Sequence, residues 1–196
     1  FYLRAVDEAG GYLKLFAIEK RARHEFAELP RRELTEEGLL RVGVVGELYV
    51  VLERFVNFDV ERKLGRMGAL VTRPVSLSAW LHHKMTVGGA REENTRETAK
   101  AFAQKYLAYD AGGESLVSVG QTVRLAQEGY DGMVHLMPFT CMPEIVAQNI
   151  LTRVSDELGI PVLTLIIDEH TAEAGVVTRL EAFVDLMARK RGSQAR

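Results

Sequence analysis

The sequence predicts an α/β sandwich of three layers, with about four parallel strands in the order 2-1-3-4 and a helical insert. Three observations lead to this fold class. Short runs rich in valine, leucine and isoleucine are continuous rather than alternating, which is typical of strands buried on both faces of a parallel sheet. Helical segments separate these runs, as in repeated β–α units. The 196 residues and the 47% apolar content suit one ordinary domain with an appendage.

The predicted strands are short and apolar. They cover residues 39–45, 69–72, 133–137 and 161–167. We expect right-handed crossovers, with the first and third strands side by side where the strand order reverses.

Helices are predicted before and between these strands. Apolar stripes and good helix formers place them over residues 1–32, 60–67, 115–127, 144–158 and 176–189. Pro30 ends the first helix, because its ring cannot continue the helical backbone. Glycines such as Gly159 stop the later ones.

These elements divide the chain into three parts. Residues 1–38 form an N-terminal helical segment, and residues 39–190 form the α/β domain. Residues 191–196 form a polar tail that we expect to be disordered.

A mostly helical insert interrupts the α/β domain at about residues 76–113. Its expected anchors are Trp80, Leu81 and Phe102. If the insert normally faces another domain, this chain exposes apolar surface there and forms a homodimer.

Composition limits the partners and the compartment. The chain has 25 Lys and Arg residues against 27 Asp and Glu residues, a net charge of −2, whereas nucleic-acid binders carry a basic excess. No apolar run approaches the roughly 18 residues of a membrane-spanning helix. The single cysteine excludes an internal disulfide and fits a reducing cytoplasm. Since the chain begins at Phe1, we expect it to be a fragment of a longer protein.

The loops at the carboxyl ends of the strands carry the candidate site residues, because ligands of open α/β sheets bind there. Gly46 and Glu47 follow the first strand, without a G-x-G-x-x-G fingerprint or a phosphate-binding Gly-Lys-Ser/Thr motif. Gly46 lets a ligand approach the backbone, or it forms a plain tight turn. We favour the turn.

A polar loop follows the fourth strand. Residues 168–171 place Glu169 and His170 beside a second carboxylate, a set that can perform acid–base chemistry, bind a metal or hold a polar ligand. The alternative is a solvated loop that caps the next helix. Neighbouring residues do not all point one way, so we expect no metal site from this loop alone. His135 lies inside a strand, where we expect a core or interface histidine.

The loop 138–144, Pro-Phe-Thr-Cys-Met-Pro-Glu, is the most unusual segment of the chain. Its two prolines stiffen a loop that delivers Cys141 close to a helix N-terminus, where the helix dipole favours a thiolate. A thiolate ligates metals and attacks electrophiles. A buried, inert thiol is the commoner fate of a single cysteine, and the residues alone favour that alternative.

Four segments, in this order, resemble one known family. They are residues 46–50, 135–144, 168–171 and 178–183. Together they look like the C-terminal part of the CoA-substrate-specific enzyme activase proteins, which are related to subunits of 2-hydroxyacyl-CoA dehydratase and benzoyl-CoA reductase. The resemblance covers about residues 39–187, and the string around Cys141 is its specific part.

The resemblance implies an iron–sulfur system of anaerobes. In such systems an activator domain of the acetate-kinase type hydrolyses ATP and passes an electron to a dehydratase or reductase component, which holds a [4Fe–4S] cluster between flavodoxin-like domains. Cys141 matches the cysteine of the family string, so with this resemblance we favour a role as cluster ligand. Gly46, Glu47, Glu169 and His170 are then expected to border the substrate-binding cleft.

The sequence departs from the family in two respects. A cubane cluster is held by about four thiolates, and this chain has one cysteine, so the other ligands must come from remaining domains of the parent chain or from a partner subunit. The ATPase motifs of the activator are also absent. We therefore expect a domain that acts in ATP-driven electron transfer to CoA-thioester chemistry and is inactive alone. The alternative is a non-catalytic docking or assembly module in which Cys141 is structural.

Overall fold

The computed structural model describes residues 2–29, 39–77 and 95–194. The chain forms two compact units, Phe1–Glu37 and Gly38–Arg196. Within the described ranges, none of the helices combines the length and the apolar character that a membrane span requires.

The described part of the first unit, residues 2–29, contains two helices. Helix α1 covers Tyr2–Asp7 and helix α2 covers Tyr12–Ala27. The prediction of one helix over residues 1–32 is wrong in this respect, because a glycine pair at positions 10 and 11 separates the two, and glycine weakens helices through its backbone freedom. The predicted helix end at Pro30 lies outside the described residues.

The second unit is built on a sheet of four parallel strands. They are β1 (Leu40–Gly46), β2 (Ala69–Thr72), β3 (Gly132–Pro138) and β4 (Val162–Ile167). Their order is β2-β1-β3-β4, and each neighbouring pair is parallel. The predicted α/β architecture and strand order are confirmed, and the strand ends differ from the prediction by at most one residue.

Helices lie between these strands and after the last one. They are α3 (Leu48–Leu52), α4 (Val60–Arg66), α5 (Thr95–Ala103), α6 (Ser115–Gln127), α7 (Met142–Leu158) and α8 (Glu173–Gln194). Helix α3 is not predicted. Helix α7 begins two residues earlier than predicted and takes Pro143 into its first turn, where the missing N–H of proline has no intrahelical partner to lose. Helix α8 continues to Gln194, where we expected a disordered tail from residue 191.

The helices cover both faces of the sheet and produce the three layers. On one face, Leu136 of β3 is buried with Leu64 of α4 and Leu180 of α8. On the other face, Met133 of β3 is buried with Leu125 of α6. Because successive residues of a strand point to opposite faces, His135 points towards the α6 side, as Met133 does.

Helix α5 is the helix that the described part of the predicted insert contains. It packs against α6 at Gly120, where a Cβ atom would lie 2.0 Å from the carbonyl oxygen of Ala99. The glycine therefore permits this close approach of two helix backbones. Of the predicted anchors, Phe102 is half-buried against this part of the core, whereas Trp80 and Leu81 lie outside the described residues.

Candidate functional site

Strands β1, β3 and β4 end at one side of the sheet, which we call the carboxyl edge, at Gly46, Pro138 and Ile167. The pairing of β1 with β3 places Gly46 opposite Leu136. Strand β2 lies on the far side of β1, and β4 lies on the far side of β3. The strand order therefore reverses between β1 and β3, which is the place where open α/β sheets bind ligands.

Gly46 and Glu47 have structural roles at this edge. Gly46 has a φ of 140°, and a Cβ atom there would lie 1.8 Å from the carbonyl oxygen of Leu136, so the approach of β1 to β3 requires glycine. The backbone N–H of Glu47 donates to the same oxygen at 2.9 Å. The Glu47 carboxylate accepts a hydrogen bond from the backbone N–H of Val50 at 2.9 Å and thereby caps α3. These contacts support the tight-turn interpretation of Gly46.

An open cleft of about 830 Å³ lies at the carboxyl edge, between the α3–α4 region and the loop that follows β4. Its size suits a small organic ligand. Aromatic, basic and acidic side chains line it: Tyr49, Phe55, Phe58, Arg54, Lys63, Arg66, Asp59, Asp168, Glu169 and Glu173. Pro138 and Ile167, the last residues of β3 and β4, contribute apolar surface.

Ion pairs hold several charged groups of the cleft. Arg54 lies 2.9 Å from Asp59, and its hydrogen bond holds the pKa of the Asp59 carboxyl below its usual value. Lys63 Nζ lies 2.7 Å from the Glu173 carboxylate. Because three basic side chains face four acidic ones across the lining, the cleft has no electrostatic preference for a polyanion.

The loop 168–171 is organised by Asp168. Its Oδ1 accepts hydrogen bonds from the Thr171 hydroxyl at 2.8 Å and from the backbone N–H of His170 at 3.0 Å. The hydrogen bond from Thr171 holds the pKa of Asp168 below its usual value. Glu169 and His170 are exposed, with 3.7 Å between Glu169 Oε1 and His170 Nε2. This geometry favours a solvated turn before α8 over an acid–base site.

Cys141 occupies the N-cap position of α7. It is a free, half-buried cysteine, and its backbone N–H donates to the carbonyl oxygen of Pro138 at 3.3 Å. Thr140, with a φ of 67°, lies in the left-handed region and turns the chain from β3 into α7. The side chains on either side of this turn are exposed, Phe139 by 64% and Met142 by 70%. The thiol therefore lies at the carboxyl edge next to apolar surface.

The first turn of α7 also carries a buried polar network. Glu144 Oε2 lies 2.7 Å from His135 Nε2 and accepts a hydrogen bond from the Ser118 hydroxyl at 3.0 Å. His135 Nδ1 lies 3.3 Å from Thr164 Oγ1. The side chains of His135 and Glu144 are both 0% exposed.

His135, predicted as a core or interface histidine, lies in the core, whereas the sequence analysis did not predict the role of Glu144. An acidic residue in the first turn of a helix is ordinarily explained as a favourable charge at the helix N-terminus. The signal that could have found the pair is His135 itself, because a buried histidine requires hydrogen-bond partners.

The five predicted site residues all lie at the carboxyl edge, but they do not form one cluster. Of Gly46, Glu47, Cys141, Glu169 and His170, only Glu169 lines the cleft. Within residues 2–29, 39–77 and 95–194, no group of three or more His, Cys, Asp and Glu residues has an arrangement that could hold a metal ion. The described residues therefore contain one thiol and no complete metal site.

No family model matches the chain, and no curated protein matches it. The resemblance to the activase proteins stays a prediction from the motifs.

Proposed function

We propose that this chain is a domain of an iron–sulfur protein of the kind that it resembles, the CoA-substrate-specific enzyme activases and 2-hydroxyacyl-CoA dehydratases. Cys141 supplies one thiolate to a [4Fe–4S] cluster, and remaining domains of the parent chain or a partner subunit supply the other ligands. The assembled protein serves ATP-driven electron transfer to CoA-thioester chemistry in a reducing cytoplasm. This chain alone is inactive.

The placement of Cys141 is the observation that supports this proposal most. The residue occupies the N-cap position of a helix of 17 residues and follows β3, one of the two central strands of the sheet. Functional groups at the carboxyl ends of such strands face the ligand side of the fold, and regular elements hold a side chain more accurately than a long loop does. The exposed Phe139 and Met142 offer apolar surface on which another domain can pack over the thiol.

The chain can supply one ligand of a cluster and not the complete set of ligands. A cubane is held by about four thiolates, and Cys141 is the single cysteine in the sequence. The contribution of this chain is therefore to hold one thiol at the carboxyl edge and to shield it from water. We assign no redox step to its residues.

The test is the iron and acid-labile sulfide content of the full-length protein, purified without oxygen as wild type, as Cys141→Ala and as Ser155→Ala. Ser155 is a half-buried residue in the last turn of the same helix, so its substitution is a matched control that keeps the sulfhydryl group. We expect iron and sulfide to fall in Cys141→Ala only, with circular dichroism unchanged in all three proteins. Equal iron in the three proteins, or no iron in any of them, overturns the ligand role.

A second candidate function is a docking or assembly module in which Cys141 is structural. The exposed aromatic and apolar side chains near the carboxyl edge favour it, because such groups mark interaction surfaces. They are Tyr49, Phe55, Phe139 and Met142. This function predicts protein without iron that dimerises or binds a partner through this edge. Light scattering across concentrations, with wild type and Phe139→Ser, tests the homodimer, and a monomer at every concentration rejects it.

A further inference from the structure

The buried carboxylate of Glu144 connects four elements of the fold at the turn that carries Cys141. Glu144 is the third residue of α7, three positions after the cysteine. Its Oε2 contacts His135 of β3 and the Ser118 hydroxyl of α6, and His135 reaches Thr164 of β4. The first turn of α7 is therefore tied to two strands and to the neighbouring helix by directional contacts rather than by apolar packing alone.

This arrangement is not the one that stability alone would favour. Glu144 Oε1 is buried and has no hydrogen-bond partner among the described residues, and such an oxygen loses its hydration without compensation. Well-packed apolar residues in place of a buried ionisable pair are often neutral or stabilising. Positions at which the residue is not the one of lowest local free energy are expected to be functional or strained.

The same turn determines where the thiol lies. Cys141 caps α7, and its carbonyl oxygen accepts the backbone N–H of Ile145 at 2.9 Å. Thr140 precedes it in the left-handed region, where a non-glycine residue persists only when its surroundings hold it. A turn that is fixed through Glu144 therefore fixes the backbone on both sides of the sulfur.

We infer that Glu144 is a positioning residue for Cys141, acting through His135 and Ser118. The inference rests on the proposed function, in which Cys141 must be correctly placed to bind the cluster. Its direct consequence is physical: the network keeps Cys141 half-buried, and loss of the network frays the first turn of α7 and exposes the sulfur.

The test measures the rate at which iodoacetamide labels Cys141 in the full-length protein after a chelator has removed iron, with labelling followed on the peptide that carries this residue. Glu144→Leu removes the network, and Glu144→Gln keeps an acceptor oxygen. Leu180→Ala is the control, because Leu180 is fully buried on the opposite face of the sheet. Urea unfolding of each variant shows whether the control loses comparable stability.

We expect Glu144→Leu to raise the labelling rate by about fivefold or more, while Glu144→Gln and Leu180→Ala stay within about twofold of wild type. Ser118→Ala removes a single hydrogen bond and should give a smaller rise in the labelling rate; it replaces Glu144→Leu in the test if that variant does not fold. An unchanged labelling rate in the variant used overturns the inference. An equal rise in Leu180→Ala, at matched stability, also overturns it.

The iron content of the same proteins separates this inference from the proposed function. Iron that depends on Cys141, together with an unchanged labelling rate in Glu144→Leu, leaves the ligand role standing and rejects the positioning role. Absence of iron from every protein rejects the ligand role, while the labelling rates still decide whether Glu144 positions the thiol.

Discussion

Replacement of Gly46 by alanine tests how the carboxyl edge is built. Gly46 ends β1 with a φ of 140°, a backbone conformation that residues other than glycine rarely adopt. An added Cβ would lie 1.8 Å from the carbonyl oxygen of Leu136 and 2.7 Å from its carbonyl carbon. Both are backbone atoms of the adjacent strand β3, so no side-chain rotation relieves the conflict.

The expected loss follows from two contributions. A residue forced into a sparsely populated backbone region costs about 1–3 kcal/mol, and overpacking of a close-packed interior costs about 1–3 kcal/mol. The Leu136 oxygen also accepts the backbone N–H of Glu47 at 2.9 Å, so moving β3 away weakens that hydrogen bond. We therefore expect the free energy of unfolding to fall by about 2–6 kcal/mol, a large part of the roughly 5–15 kcal/mol typical of a whole domain.

Urea unfolding followed by circular dichroism measures this loss, with Gly65→Ala as the matched control. Gly65 lies in α4, and a Cβ atom there meets nothing within 4 Å. The same added methyl group should therefore stabilise the chain by about 0.5–1 kcal/mol at Gly65, through helix propensity. If the free energy of unfolding of Gly46→Ala lies within about 0.5 kcal/mol of the wild-type value, the steric argument is refuted. The alternative, that Gly46 lets a ligand approach the backbone, is then favoured.

Three further predictions concern other parts of the chain. Hydrogen bonds from Lys105, Arg153 and Tyr106 together lower the pKa of Glu157 from 4.5 to about 2. They contribute stability that is present above pH 4.5 and lost as the pH falls to about 2, so urea unfolding in this window should depend less on pH in Glu157→Gln. Gly120→Ala should cost about 1–3 kcal/mol in the same assay, because the added Cβ would lie 2.0 Å from a carbonyl oxygen of α5, and an unchanged stability would contradict that packing. His135→Ala leaves the buried Glu144 without its histidine partner and should cost about 3–5 kcal/mol, whereas the double variant His135→Leu/Glu144→Leu should recover most of the loss. A double variant as unstable as His135→Ala would contradict this pairing.

The sheet could be predicted because its strands are continuous apolar runs. The runs at residues 133–137 and 162–167 contain no Asp, Glu, Lys or Arg, as is typical of parallel sheets covered by helices, and β3 is buried over almost its whole length, whereas the edge strand β4 is partly exposed. Gly159 marked the end of α7 for an equally local reason, since it has a φ of 66° and glycine is the usual residue in that conformation at a helix end.

Helix α3 shows why the site was harder to predict than the sheet. Its five residues, Leu48–Leu52, are too few to display a helical period, so the sequence predicts a loop after β1. In such a loop Glu47 is expected at the substrate-binding cleft. In the structure the Glu47 carboxylate accepts a hydrogen bond from the backbone N–H of Val50. The cleft is lined on this side by Tyr49 and by the residues that follow α3.

The relation between Cys141 and Glu144 depends on contacts that no local pattern reveals. Both residues belong to one turn, and a helix advances by about 100° per residue, so the sequence shows that they are close without showing how deeply each is buried. The contacts of the buried pair come from residues far away in the sequence: Ser118 lies 26 positions before Glu144, and Thr164 lies 29 positions after His135. Because Glu144 is bound by these distant contacts while the thiol is half-buried, a substitution of Glu144 tests the proposed positioning of Cys141 without altering the sulfur itself.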